Sequence, residues 1–301
     1  MTAVAWVMLP AAALNSTLPQ PPTHLQMPKA AEMVFTIGGA VPLVIVLLIA
    51  LRHLRAGRPL LLCCLFGGLA AALFEPFVDV LGMVYLTEHG SIHTFTLLGR
   101  TMPLFVPVIY PWYIGGFAYL TARALQRGVT RRQFLGLWAV FVLTNFALEA
   151  PGLLTGVYTY YGKQPFNLWG HPMWWGAANA FTAIAGGAAV FGFTKLFPAG
   201  GWATVGVIPL IFIAEGLSNA GTGFPMYAVL HDNRGWGWEY PAALLTVGLI
   251  VYCVWLIGTV AQRVAPAQDS GTRQRSADGS SSSRSFSSET QASASSVSAS
   301  R

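Results

Sequence analysis

Between residues 33 and 262 the chain is a succession of apolar runs, each separated from the next by a short polar or aromatic stretch. A bilayer core about 30 Å thick needs roughly 20 apolar residues per helix. The runs at 33–53, 59–84, 103–124, 133–156, 173–196, 202–225 and 240–262 all meet that length. Hydrocarbon offers no water to satisfy backbone amides, so such segments must be helical. The pattern predicts an all-α polytopic membrane protein, a bundle of about seven transmembrane helices. Composition agrees: 54% of residues are hydrophobic and only 9% charged, where a soluble domain carries about 25% charged residues.

The cations set the orientation. Arg52, Arg55 and Arg58 lie between the first two runs, Arg123, Arg127, Arg131 and Arg132 between the third and fourth, Lys195 after the fifth and Arg263 after the seventh. Loops rich in Lys and Arg stay cytoplasmic, which puts the N-terminus outside and the C-terminus inside a multi-pass protein of the cell membrane. The same distribution accounts for the net charge of +6 with no nucleic acid partner. The opposite loops carry Tyr158, Tyr160, Tyr161, Trp169, Trp174, Trp175, Trp236 and Trp238, an aromatic belt at the membrane surface and a cover for a cavity.

Three segments follow. Residues 1–32 form an interfacial or flexible N-terminal piece: Met1 to Leu14 is apolar but lacks a basic start and runs into Pro19, Pro21 and Pro22, a poor signal peptide. Asn15-Ser16-Thr17 matches a glycosylation sequon. Residues 33–262 form the helical domain. Residues 263–301 are Ser-rich and nearly devoid of large apolar side chains, which predicts a disordered cytoplasmic tail.

Four carboxyls fall inside the runs: Glu75 and Asp79 in the second, Glu149 in the fourth and Glu215 in the sixth. A charge in that position costs several kcal/mol unless it faces a polar interior, so each is a candidate site residue. All three helices run outward from the cytoplasm. Glu75, Glu149 and Glu215 come about 13–16 residues after their helix starts, which at about 1.5 Å per residue puts them in one layer of the outer half. Each acid has a polar companion one turn away on the same face: Glu75 with Asp79, Asn145 with Glu149, Glu215 with Asn219. With no Lys or Arg at that depth, at least one carboxyl should be protonated at neutral pH, because desolvation and like charges both raise a carboxyl pKa. A neutral acid beside an ionised one is equipment for general acid–base work. Helix-to-helix hydrogen bonding is the plainer use of the same groups.

Tyr110, Tyr113, Tyr160, Asn167, His171 and Trp174 surround this layer in sequence and are candidate substrate contacts, with Asn145 and Asn219. Pro76, Pro107, Pro111 and Pro151 should bend helices near the outer half, which is tolerated only beside a cavity. Cys63, Cys64 and Cys253 offer no disulfide framework. The seventh run has no lysine for a retinal Schiff base, and no His-x-x-x-His, Cys-x-x-Cys or Asp-rich motif occurs, so neither a cofactor nor a metal is expected. Gly186-Gly187 suits close helix packing.

Phe74-Glu75-Pro76-Phe77-Val78-Asp79, followed by Pro103 to Tyr113, and Asn145-Phe146-Ala147-Leu148-Glu149, continued by Gly156-Val157-Tyr158-Thr159-Tyr160, with Asn219 near the end of the sixth run, resemble the AveC-like spirocyclase family. Glu75 and Asp79 stand where that family has Asp and Asn, and its Gly-Ser-Trp is missing from the loop after the second run. The resemblance implies a pocket, acids and a lipophilic small molecule. In helix count and intramembrane acids the chain is also similar to seven-helix transmembrane terpene cyclases. The reading that follows is a membrane-embedded, metal-independent cyclase, dehydratase (lyase) or isomerase acting on a lipophilic polyketide or isoprenoid (terpenoid) in secondary metabolite biosynthesis. Glu149 or Glu75 would be the acid, Asp79 or Glu215 the base, and Asn145 and Asn219 the positioning groups, with membrane lipids and possible pathway enzymes as partners. A proton-coupled transporter or lipophile-binding protein would use the same acids, and a scaffold would use them only to join helices.

Overall fold

The computed structural model describes residues 18–197, 201–232 and 236–264. The expectations for Met1 to Leu14, for the sequon at Asn15 and for the Ser-rich tail fall outside them. Nine helices are described: α1 (Lys29–Arg55), α2 (Leu60–Ala71), α3 (Glu75–Gly82), α4 (Phe105–Tyr110), α5 (Phe117–Gln126), α6 (Arg131–Thr155), α7 (Met173–Leu196), α8 (Val207–Asp232) and α9 (Trp236–Val264). Six helical stretches are long and apolar enough to cross a membrane: Lys29–Arg55, Leu60–Gly82, Arg131–Thr155, Met173–Leu196, Ala203–Asp232 and Gly237–Val264. Their outward faces are apolar, with Val34, Ile37, Val41 and Leu48 on α1, Leu143 and Leu154 on α6, and Leu244 and Tyr252 on α9 all exposed. That surface suits hydrocarbon as its solvent.

The remaining apolar run is not one regular helix. Phe105–Gln126 is continuous but changes pitch, with a π-helical segment, Pro111–Gly116, between α4 and α5. Pro111 has no N–H to give, so the regular ladder fails there and the wider turn takes its place. The run at 59–84 is also interrupted: α2 tightens into a 3-10 turn at Ala72–Phe74 before α3 begins at Glu75. Pro76 cannot donate to the carbonyl of Ala72, one turn back. Both interruptions occur beside acid-facing residues.

Packing centres on α7, which lies against α5, α6, α8 and α9. Its inner face is built from Ala177, Ala178, Ala180, Ala183, Gly186 and Gly187, all buried. A Cβ at Gly187 would stand 2.6 Å from the Ala118 carbonyl, so this glycine sets how closely α5 and α7 approach. The same holds between α2 and the π segment, where a Cβ at Gly68 would stand 2.6 Å from the Tyr110 carbonyl.

Three two-stranded antiparallel ladders join the helices: β1 (Val84–Leu86) with β4 (Tyr158–Tyr160), β2 (His93–Leu97) with β3 (Arg100–Pro103), and β5 (Asn167–Leu168) with β6 (His171–Pro172). In the first, Val84 faces Tyr160 and Leu86 faces Tyr158. Gly156, at φ 78°, ends α6 in the left-handed conformation and turns the chain into β4. At the other end of α6, Thr130 and Gln133 form a reciprocal capping box.

Two expected boundaries shift. Helix α1 begins at Lys29, so residues 29–32 belong to the helical domain. Their anchor is Glu32, fully buried, which accepts from the Ile92 amide at 2.6 Å and pairs with Lys29 at 3.3 Å. Helix α9 runs to Val264, one residue beyond Arg263, where composition alone put the start of the tail.

Candidate functional site

Beneath the β1–β4 ladder lies a cavity walled by α1, α3, α4, the π segment, α6, α7 and α8. Its volume is about 80 Å³. One buried water needs about 10–15 Å³ by the same measure, so the cavity holds several waters or part of a ligand. Glu75, Asp79, Glu149 and Glu215 all line it. The three acid-bearing stretches thus meet in one site. Phe35, Phe105, Tyr110, Tyr113, Tyr158, Tyr160 and Trp175 give it aromatic walls.

Glu149 is the most fully partnered of the four. Its Oε1 accepts from Asn145 Nδ2 at 2.8 Å and from Asn179 Nδ2 at 3.0 Å, and its Oε2 accepts from the Tyr160 hydroxyl at 2.6 Å. Asn145 lies one turn before Glu149 on α6, as the spacing of four requires, while Asn179 arrives from α7 and Tyr160 from β4. The Tyr158 hydroxyl donates to the Glu149 carbonyl at 3.0 Å. Burial first, and then the charge of Glu149, push both the Tyr158 and Tyr160 phenols upward in pKa, so each stays a proton-bearing donor. His171 stands behind Asn145: its Nε2 lies 3.1 Å from Asn145 Oδ1 and 3.6 Å from Glu149 Oε2, and its Nδ1 lies 2.9 Å from the Pro172 carbonyl. With the Asn145 amide nitrogen turned to Glu149, the oxygen facing His171 needs a donor, which assigns a proton to Nε2.

The other three acids are less satisfied. The Tyr110 hydroxyl donates to Glu75 Oε2. Among the described residues, Asp79 Oδ1 and Glu215 Oε2 are buried without a hydrogen-bond partner, as is the Tyr113 hydroxyl. Asp79 and Glu215 are only 1% and 2% exposed, which excludes bulk water as the missing partner. Among the described residues the cavity wall holds no Lys, Arg or His. Outside that wall the β2–β3 hairpin carries a buried cation, Arg100. Its guanidinium donates to the Tyr161 hydroxyl at 2.9 Å and sits 5.7 Å from the Tyr85 ring centre. Among the described residues no group of three His, Cys, Asp or Glu side chains could hold a metal ion.

Four expected contacts do not reach the cavity. Trp174 is fully buried, with its indole nitrogen 3.3 Å from Gln164 Oε1 and its ring on Tyr227. On a helix the neighbouring position points about 100° away, so Trp175 and Asn179, one turn apart, take the cavity face instead. Asn219 lies one turn beyond Glu215 but accepts from the Tyr227 hydroxyl on its own helix. Asn167 is exposed on β5, where its side chain accepts from the Gly170 amide at 2.9 Å. His171 acts through Asn145 and does not line the wall. Tyr158 and Trp175, expected only as part of the aromatic cover, and Asn179, expected only near the acid layer, line the wall, as do Phe35 and Phe105, which the sequence did not mark. The spacing of Trp175 and Asn179 was the readable signal, whereas nothing local marks Phe35 or Phe105.

No protein-family model, no curated protein and no solved structure matches the chain.

Proposed function

We propose that the chain is a membrane-embedded acid–base catalyst, a cyclase, dehydratase or isomerase whose substrate is a lipophilic small molecule of polyketide or isoprenoid type. In this reading Phe105–Gln126 is a seventh span, the Arg-bearing ends face the cytoplasm, and the β ladders cover the site on the outer side of the cell membrane. The observation that carries the reading is the unequal state of four carboxyls around one cavity: Glu149 holds three donors, while Asp79 and Glu215 each keep a buried oxygen without one.

Three donors hold the Glu149 carboxyl in one orientation toward the cavity, which suits a base that takes a proton from the substrate. Asp79 and Glu215 fit the protonated form, in which a carboxylic O–H is available to activate a hydroxyl, carbonyl or alkene. Tyr110, bonded to Glu75, gives a second proton-bearing group on the opposite wall. Aromatic walls and the covering ladder exclude water from an electron-poor intermediate. The resemblance to AveC-like spirocyclases points to the same class of chemistry.

The test is mass spectrometry of lipid extracts from cells with and without the protein, alongside Glu149→Gln and Asp79→Asn at matched membrane levels. The expected result is a lipophilic metabolite shifted by one water, or an isomer of unchanged mass, reduced about 10²- to 10⁴-fold in the variants. A product that persists undiminished in both variants would overturn the assignment. The proton-coupled transporter reading rests on the same acids and predicts substrate-dependent proton flux in liposomes without product.

A further inference from the structure

The acceptors left without partners define what the cavity lacks. Asp79 Oδ1 and Glu215 Oε2 line the same hollow, are buried, and have no hydrogen-bond partner among the described residues. An unsatisfied buried acceptor costs about 1–3 kcal/mol, so its partner is expected to arrive with the ligand. Four carboxyls share the wall, and the Arg100 guanidinium is engaged by Tyr161 outside it. The aromatic side chains of Tyr110 and Trp175 complete the surroundings. Donors, positive charge and aromatic contact together describe an organic ammonium.

We infer that this cavity takes the nitrogen of a lipophilic amine, which receives a proton from Asp79 or Glu215 and is held as the ammonium by the carboxylate so formed. The amine enters from the hydrocarbon in its neutral form. Its lone pair takes the carboxylic proton, the O–H bond breaks, an N–H bond forms, and the carboxylate left behind accepts a hydrogen bond from the new cation. The net charge of the site does not change, so a low-dielectric cavity accommodates the step without burying an uncompensated ion. The inference rests on Asp79 and Glu215 being proton donors, as the catalytic reading has them, but it does not require turnover.

The experiment is calorimetric titration of the full chain in phosphatidylcholine nanodiscs, corrected with empty discs, using 4-phenylbutylamine and its neutral counterpart 4-phenylbutanol. The amine should bind at least tenfold more tightly than the alcohol. Asp79→Asn combined with Glu215→Gln should erase that preference while leaving alcohol binding in place, which shows that the cavity still folds. Phosphatidylethanolamine added to the disc should weaken amine binding if a lipid headgroup supplies the natural ammonium, and leave it unchanged if a free amine does. Equal affinity for amine and alcohol in the wild-type protein would overturn the inference. So would a preference that survives the double substitution. If amine preference fails while Glu149→Gln still abolishes product, the catalytic reading stands alone; if no product is found but the preference holds, the cavity is an amine-binding site without that chemistry.

Discussion

Removing the Tyr160 hydroxyl tests the geometry around Glu149 most directly. Tyr160→Phe keeps the ring, which packs 5.9 Å from His171 and 5.7 Å from Trp175 between centres, and deletes only the donor at 2.6 Å from Glu149 Oε2. Glu149 retains Asn145 and Asn179 on its other oxygen, so the carboxylate loses one of three donors and is not stranded. A hydrogen bond to a charged acceptor is worth about 1.5–3 kcal/mol, whereas interhelical bonds in bilayers average about 0.6 kcal/mol. The two values separate a carboxylate from a neutral acid. The assay is a double-mutant cycle of Tyr160→Phe and Glu149→Gln, with unfolding free energies measured by steric trapping in lipid bicelles. A coupling of about 1.5 kcal/mol or more is expected if Glu149 is the anion of the site. A coupling near 0.6 kcal/mol, the ordinary bilayer value, would refute the assignment of Glu149 as base.

Gly115→Ala should destabilise the protein by about 1–3 kcal/mol, because its Cβ would strike the Cys64 carbonyl; Gly116→Ala, which opens on free space, should be tolerated, and equal thermal stability of the two in detergent would count against the close approach of α2 and the π segment. Glu32→Ala removes the acceptor for the Ile92 amide and should loosen the β2–β3 hairpin; faster hydrogen exchange at residues 88–104 is the readout, and unchanged exchange would show that the anchor is unimportant. Thr130→Ala breaks the capping box of α6 and should cost about 1 kcal/mol, checked by thermal unfolding. Tyr113→Phe deletes a buried hydroxyl that has no hydrogen-bond partner among the described residues, so stability should hold while turnover or ligand affinity falls; a matching loss of stability would mean the hydroxyl is structural.

What could be read from the sequence was local. Lipid forces long apolar runs into helices, so their existence and rough limits follow from composition and length alone. An acid in such a run is costly, which marks Glu75, Asp79, Glu149 and Glu215, and a spacing of four alone puts Asn145 on the face of Glu149. What only the tertiary structure decided was non-local. The π turn at Pro111–Gly116 exists where a proline breaks the ladder and Gly68 and Gly115 let two backbones touch. Tyr160 reaches Glu149 because β4 pairs with β1, more than 70 residues earlier in the chain, and Asn179 reaches it because α7 packs on α6. The short ladders carry no hydrophobic period long enough to announce them. Helical periodicity reports which side chains share a face, but which faces meet depends on side-chain shapes from distant segments, and that is where Trp174 gave way to Trp175.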